Sequence, residues 1–369
     1  MTRTALYLAG GGARGAYQAG VLKAIHHILQ LKSCPFVTIS GVSVGSINAS
    51  ILAQHADDFG MGVEKMEMLW STIHSHHVYN ASNYAMSKSL LRNLSYFIVK
   101  HRNSGHLLDT SPLYDTIEKN IDFKQINNHI ANGQLETVEI LANCYDHQQT
   151  ISFYQHHQAD FKDWHYPKHM SQRVELNAHH VLASSALPLF FPAVDINGFH
   201  FGDGSMGLVS PLRGALRSNV KKILIIGTRP LPNLANLEQW PRANIGLAHI
   251  LGSMLNGLFL DNLDRDIETV NHMNDIAQLL SVWKKHRSPW RPVETLHLRP
   301  SMDVATLAQN KYHNMPSLLR LFLNMLGAQN HSGDLLSFLL FEKEFAQELI
   351  NLGYYDTLSN APAVEAFFR

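Results

Sequence analysis

Two cysteines, Cys34 and Cys144, stand in 369 residues. They are too few for a disulfide framework, and a reducing compartment is the natural reading. No sign of charge is in excess, because thirty basic residues match thirty acidic ones. Without a net basic field, nucleic acid is not expected as a partner. Charged residues are scarce at 16%, against 45% hydrophobic, which excludes a disordered chain and supplies a large core. Long apolar runs are missing too. The apolar-looking run over residues 181–194 is too short to span a bilayer and contains Pro188 and Pro192. Residues 5–9 run straight into glycines, so no signal peptide is expected. The expectation is a cytoplasmic globular protein without a transmembrane helix, of two domains or one large domain with an extension. Histidine, by contrast, is abundant at 23. Its pairs, such as His26-His27 and His179-His180, recur at no metal-ligand spacing and read as polar surface.

Along the chain, residues 5–9 read as a buried strand and 16–31 as a helix with Val21, Leu22, Ile25 and Ile28 on one side. Residues 36–39 read as a second strand, followed by a second helix through Ile47, Ile51 and Leu52. Strand, helix, strand, helix argues a parallel sheet with right-handed crossovers. Further strands are expected at 137–142, 150–154, 223–227 and 295–298. Residues 57–135 read as mostly helical and polar, and 245–280, 318–326 and 335–350 as helices.

Two glycine turns and one aspartate carry the chemistry. Gly41-Val42-Ser43-Val44-Gly45 fits G-x-S-x-G between a strand and a helix, the context of a nucleophile elbow. The same pattern also serves as a purely structural turn. Gly10-Gly11-Gly12-Ala13-Arg14-Gly15 satisfies G-x-G-x-x-G. The dinucleotide reading fails because an acidic residue is required some twenty positions later, and the first in the chain is Asp57. No Gly-Lys-Ser/Thr closes a phosphate loop. What remains is a turn whose free amides suit an anion, or a turn with no ligand. Asp203, in Phe201-Gly202-Asp203-Gly204-Ser205, reads on its own as a turn residue or a catalytic acid.

In this order and spacing the three segments resemble the patatin-like phospholipase family. The segment Ala183-Ser184-Ser185-Ala186-Leu187-Pro188-Leu189-Phe190-Phe191-Pro192, Asn48 and Ser210-Pro211 suit it as well. Ser205 departs from the family's usual Gly or Ala at that place, a small change. The resemblance covers residues 5–230 and implies a three-layer α/β/α fold with a mainly parallel central sheet. Residues 240–369 resemble the helical extension of long bacterial members, giving a catalytic domain over 1–235 and a helical region over 236–369 packed upon it.

The resemblance implies a lipid acyl hydrolase with Ser43 as nucleophile and Asp203 as base, a dyad without histidine. Amides around Gly11, Gly12 and Ala13 would hold the oxyanion, and Arg14 would brace the loop or face the lipid phosphate. The chemistry requires no metal or other cofactor. Partners would be a phospholipid or other fatty-acyl ester, a transient contact with a membrane surface through an apolar rim or an amphipathic segment (57–135 or 318–326), and, left open, a second copy of the chain. Two other readings stand beside it: a Ser-His-Asp α/β-hydrolase, whose elbow usually follows more strands, and a non-catalytic lipid- or partner-binding module. The apolar faces of 236–369 lead to one expectation. Truncation near residue 235 should give insoluble or unstable protein; a soluble truncate of equal or higher esterase activity would instead make the region a dispensable lid.

Overall fold

The structure, a computed structural model, describes residues 3–80, 107–231, 246–280, 288, 290–325 and 333–369. In chain order the regular elements are β1 (Thr4–Leu8), α1 (Ala16–Leu29), β2 (Thr38–Val42), α2 (Val44–Ala53), α3 (Phe59–Ser71), α4 (Ser111–Asn120), α5 (Phe123–Ala131), β3 (Thr137–Cys144), β4 (Gln149–His156), β5 (His165–Tyr166) and β6 (His169–Arg173). They continue with α6 (Ala178–Ser184), β7 (Val194–Ile196), β8 (Phe199–Asp203), α7 (Arg213–Arg217), β9 (Lys222–Ile226), α8 (Leu247–Leu279), β10 (Glu294–Leu298), α9 (Val304–Asn310), α10 (Ser317–Met325), α11 (Gly333–Leu339), α12 (Lys343–Ser359) and α13 (Ala361–Phe368).

The strands form one sheet in the order β10-β9-β1-β2-β3-β4-β6-β5, with β7 and β8 attached at β3. β10, β9, β1, β2 and β3 are parallel; β4 runs antiparallel to β3. Alternate residues of the central strands enter opposite cores. Leu6, Leu8, Leu224 and Ile226 face the core shared with α1 and α12, whereas Tyr7, Ile223 and Ile225 face the one shared with α7 and α8. A sheet covered on both faces needs nearly continuous apolar strands, as residues 4–8 and 222–226 are. The mostly parallel sheet between two helical layers is the fold class expected from the sequence.

Three differences are informative. The expected helix over 335–350 is two helices, because Leu340-Phe341-Glu342 leave helical geometry and Glu342 bridges to His74. The Glu342 carboxylate accepts from Ser75 Oγ at 2.7 Å and lies 3.0 Å from His74 Nδ1, which fixes an extended residue where propensity favours helix. The 295–298 strand is β10, so the stretch beyond 236 adds an edge strand to the central sheet besides its helices. The hairpin of β5 and β6 was not foreseen. Only α3, α4 and α5 of the expected helical stretch 57–135 can be placed, since 81–106 lie outside the described residues, as does the boundary expected near 235.

α12 lies against α1 at a crossing of two glycines. A Cβ on Gly20 would fall 2.0 Å from the Ile350 carbonyl oxygen, and one on Gly353 would fall 2.2 Å from that of Tyr17. Backbone cannot yield as a side chain does, so this contact admits no larger residue. Gly353→Val is expected to destabilise the fold by about 1–3 kcal/mol or more. Chemical denaturation would measure it, and an unchanged midpoint would show that the helices do not meet there.

Candidate active site

β3 has β4 along one edge. On the other edge β2 pairs with Thr137–Leu141, ending at Val42 opposite Leu141. The remaining residues of that edge pair with β8, with Ala142 opposite Asp203. Asp203 therefore takes up the ladder where β2 leaves it at Ser43. Two serines of the segment after β6 tie the pieces together. Ser43 N–H donates to Ser184 Oγ at 2.9 Å, Ser184 Oγ donates to the Leu141 carbonyl at 2.6 Å, and Ser185 Oγ donates to the Ser43 carbonyl at 3.2 Å. Close approach explains the flanking glycines: a Cβ on Gly45 would sit 2.1 Å from the Leu8 carbonyl oxygen, and one on Gly204 1.9 Å from that of Leu141. Gly41 packs against the Gly45 carbonyl in the same turn.

Ser43 is the N-cap of α2 with φ 54° and ψ −131°. A non-glycine residue with positive φ is strained and persists because its surroundings determine it. Here the strain aims the side chain off the strand at a helix N-terminus, where partial positive charge collects. Asp203 is fully buried, and its Oδ1 accepts from Ser205 N–H at 2.9 Å. Burial pushes its carboxyl up to about 7, while the Ser43 hydroxyl and the Ser205 amide and hydroxyl favour the charged form and hold it from rising further. Neither hydroxyl is aligned on Oδ2: Oδ2 and Ser205 Oγ both lack a hydrogen-bond partner among the described residues.

The first glycine turn lies beside this pair. A Cβ on Gly10 would be 3.1 Å from Ser43 Cβ and 2.6 Å from Ser205 Oγ. Gly12–Gly15 form a short 3-10 turn that leads into α1. Arg14 N–H closes it on the Gly11 carbonyl, whereas the amides of Gly11, Gly12 and Ala13 donate to no acceptor among the described residues. Thr228 Oγ1 donates to the Gly10 carbonyl at 2.5 Å. Behind the turns, Asn48 Nδ2 donates to the Gly15 carbonyl (3.0 Å) and to Gln18 Oε1 (2.8 Å), Trp70 Nε1 donates to Asn48 Oδ1 (2.9 Å), and Gln18 Nε2 donates to the Ala9 carbonyl (2.8 Å). These bonds lock both turns to β1, α1, α2 and α3.

Arg14 does not face an open pocket. It is 2% exposed, donates to Ser337 Oγ at 2.8 Å, pairs with Asp334 at 3.2 Å and lies 4.3 Å over the Phe338 ring. Burial lowers its pKa to about 10, with Asp334 opposing the shift, so it is charged at neutral pH and braces the turn against α11. A cavity of about 30 Å³ adjoins Ser43 and Gly12, and apart from Ser43 and Ser185 its walls are apolar. A far larger hollow, about 960 Å³, lies around Thr4, Leu29, Lys32 and Phe368 and touches none of these residues. Among the described residues no group of three metal-ligating side chains converges and no helix is long and apolar enough to cross a membrane.

Thus Gly10–Gly15, Gly41–Gly45 and Asp203–Ser205 come together. Ser184 and Ser185 lie in the family-like segment but carry no role that their sequence announces, and no local pattern marks Thr228, Asp334, Ser337, Phe338 or Phe341.

The sequence profile of the family described as Patatin-like phospholipase matches residues 6–216. No curated protein matches the chain well enough to count as a relative. Solved structures with distant similarity include VipD from Legionella pneumophila (12% identity, 98% of this chain and 67% of that chain, TM-score 0.38). Others are the type III effector ExoU of Pseudomonas aeruginosa (14%, 99% and 54%, 0.39) and human GIVD cytosolic phospholipase A2 (10%, 100% and 60%, 0.45). The chain thus spans less than two thirds of the last two. The profile match takes in both glycine turns, Ser43 among them, and the Asp203 turn over more than half of the sequence, and by it the chain belongs to the patatin-like phospholipase family.

Proposed function

We propose that the protein is a lipid acyl hydrolase of the phospholipase A, lysophospholipase or esterase type, working through an acyl-enzyme on Ser43 with Asp203 as base. The observation that carries this reading is the meeting, where β2 and β8 end, of a strained serine at a helix N-terminus and a buried carboxyl poised near neutral pH. Ser43 Oγ attacks the ester carbonyl and its proton passes to Asp203. The resulting oxyanion is positioned to accept from the amides of Gly11, Gly12 and Ala13, and each such donor contributes a factor of about 10²–10³ in rate. Collapse releases the alcohol, which takes the proton from Asp203. Water, deprotonated by Asp203, then cleaves the acyl-enzyme, and the proton returns to Ser43 as the fatty acid leaves.

No histidine is hydrogen-bonded to Ser43 or Asp203 among the described residues, which favours the dyad over a Ser-His-Asp triad. Every motif position is filled, which favours an enzyme over a silent binding module. Both cysteines are free thiols, in keeping with a cytoplasmic site of action. A phospholipid substrate would lie in a bilayer, and contact with the membrane would then be transient and made through apolar groups.

In a p-nitrophenyl ester or phospholipid assay, Ser43→Ala and Asp203→Asn should each cost at least about a thousandfold, and the double variant little more, since the two act as a unit. Half the wild-type rate in Ser43→Ala would refute the assignment, and a histidine variant equally inactive but folded would favour the triad.

The base must be charged, so kcat/KM should rise with pH through about 7 and level off above it. Stability runs the other way. The folded-state pKa lies above the unfolded one, so between pH 4 and 7 the native protein holds a proton that the unfolded chain has lost, and stability falls as pH rises. Asp203→Asn removes this dependence, and its stability relative to wild type should improve by on the order of a few kcal/mol between pH 4 and pH 8. A constant difference across that range would mean that Asp203 is not raised.

Liposome flotation should show weak, reversible binding. Tight binding to anionic vesicles alone, abolished by salt, would contradict an apolar contact.

A further inference from the structure

The cavity beside Ser43 is lined in part by residues from outside the matched family region. Its apolar walls include Ile47, Leu113, Leu187 and Phe191, but Phe338 and Phe341 complete them from α11 and the break that follows it. At about 30 Å³ the space holds one or two water-sized bodies, far less than a long acyl chain extending from the Ser43 ester requires. The two aromatic rings differ in how they are held. The Phe338 backbone carbonyl presses on Gly12, where a Cβ would come within 2.2 Å of it, and its ring lies under the Arg14 guanidinium. Changing Phe338 would disturb the turn itself. Phe341 touches the turn by no such contact. Its ring meets Tyr79 edge to face at 6.4 Å, and Tyr79 meets Phe191 at the same distance. Anchors stand on both sides of it: Tyr79 Oη lies 3.3 Å from the Leu339 carbonyl, and the next residue, Glu342, is bound to Ser75 and His74.

We propose that Phe341 determines the length of the acyl chain the site accepts, its ring filling the space into which a longer straight-chain carboxylic ester would extend from Ser43. This rests on the reading of Ser43 as the nucleophile. The Phe341 ring is buried against Tyr79 on a backbone anchored on both sides, so its volume sets the depth of the pocket, and pocket depth discriminates chains that differ by methylenes.

The test is kcat/KM of the full chain on p-nitrophenyl acetate, butyrate, octanoate and palmitate. Wild type should favour the two short esters. Phe341→Ala should raise the octanoate-to-butyrate ratio by at least about tenfold, and Phe341→Trp should lower it. Phe341→Leu, which keeps most of the apolar volume, should move the ratio in the same direction as alanine and serves where the alanine variant does not fold. Ratios within about twofold of wild type in leucine and tryptophan variants with wild-type melting curves would overturn the proposal. So would a wild type that already prefers palmitate. In either case the hydrolase reading stands, whereas a wild type that turns over no ester in the series overturns both.

Discussion

The site depends on a mismatch of strand lengths. β3 is eight residues long and β2 five, so beyond Leu141 one edge of β3 would present unpaired backbone groups in the protein interior. Buried N–H and C=O groups left without partners cost free energy comparable to lost hydrogen bonds. β8 fills that gap, antiparallel, over Ala142–Cys144. Because β2 has just turned into α2 at Ser43, the strand that completes the ladder must end beside the serine, and the residue it brings there is Asp203. The glycines follow from the same crowding, since Gly45 lies on the end of β1 and Gly204 on the end of the β2–β3 pair.

Bringing a carboxyl into so dry a place is unfavourable, and Oδ2 without a partner makes it more so. The same desolvation raises the carboxyl toward the range in which a general base works at neutral pH. The destabilisation is local, and it is offset around it. Ser184 and Ser185 satisfy backbone groups of the elbow, and the buried Asn48, Gln18 and Trp70 satisfy one another and the carbonyls of the first turn. A fully satisfied polar network is rigid, and rigidity holds Ser43 at a backbone conformation it would not otherwise keep.

The region beyond the matched family segment is part of the same construction. Arg14 carries its charge into the interior, and a buried charge left alone would be prohibitive. Its partners, Asp334, Ser337 and the Phe338 ring, all come from α11. β10 continues the sheet past β9, and α12 crosses α1 at Gly20 and Gly353. The first glycine turn is thus held from one side by its own segment and from the other by residues more than three hundred positions later.

The local elements around the site were legible in the sequence because each depends on neighbours in the chain. Glycines permit the two turns, apolar runs make strands buried on both faces, and the spacing of Gly10–Gly15, Gly41–Gly45 and Asp203-Gly204 marks the family. The ends of strands were less legible: residues 36–39 announce β2, yet it runs to Val42, since where a ladder stops depends on the partner strand. The break at Leu340–Glu342 was invisible, because Ser75 and His74 impose it from elsewhere in the chain. Tertiary structure alone decided that β3 would share one edge between β2 and β8, that Arg14 would be buried against α11, and that Phe338 and Phe341 would line the cavity at Ser43. Each of these is a contact between distant segments fixed by satisfying buried polar groups and filling space, and neither requirement leaves a period or a motif in the sequence.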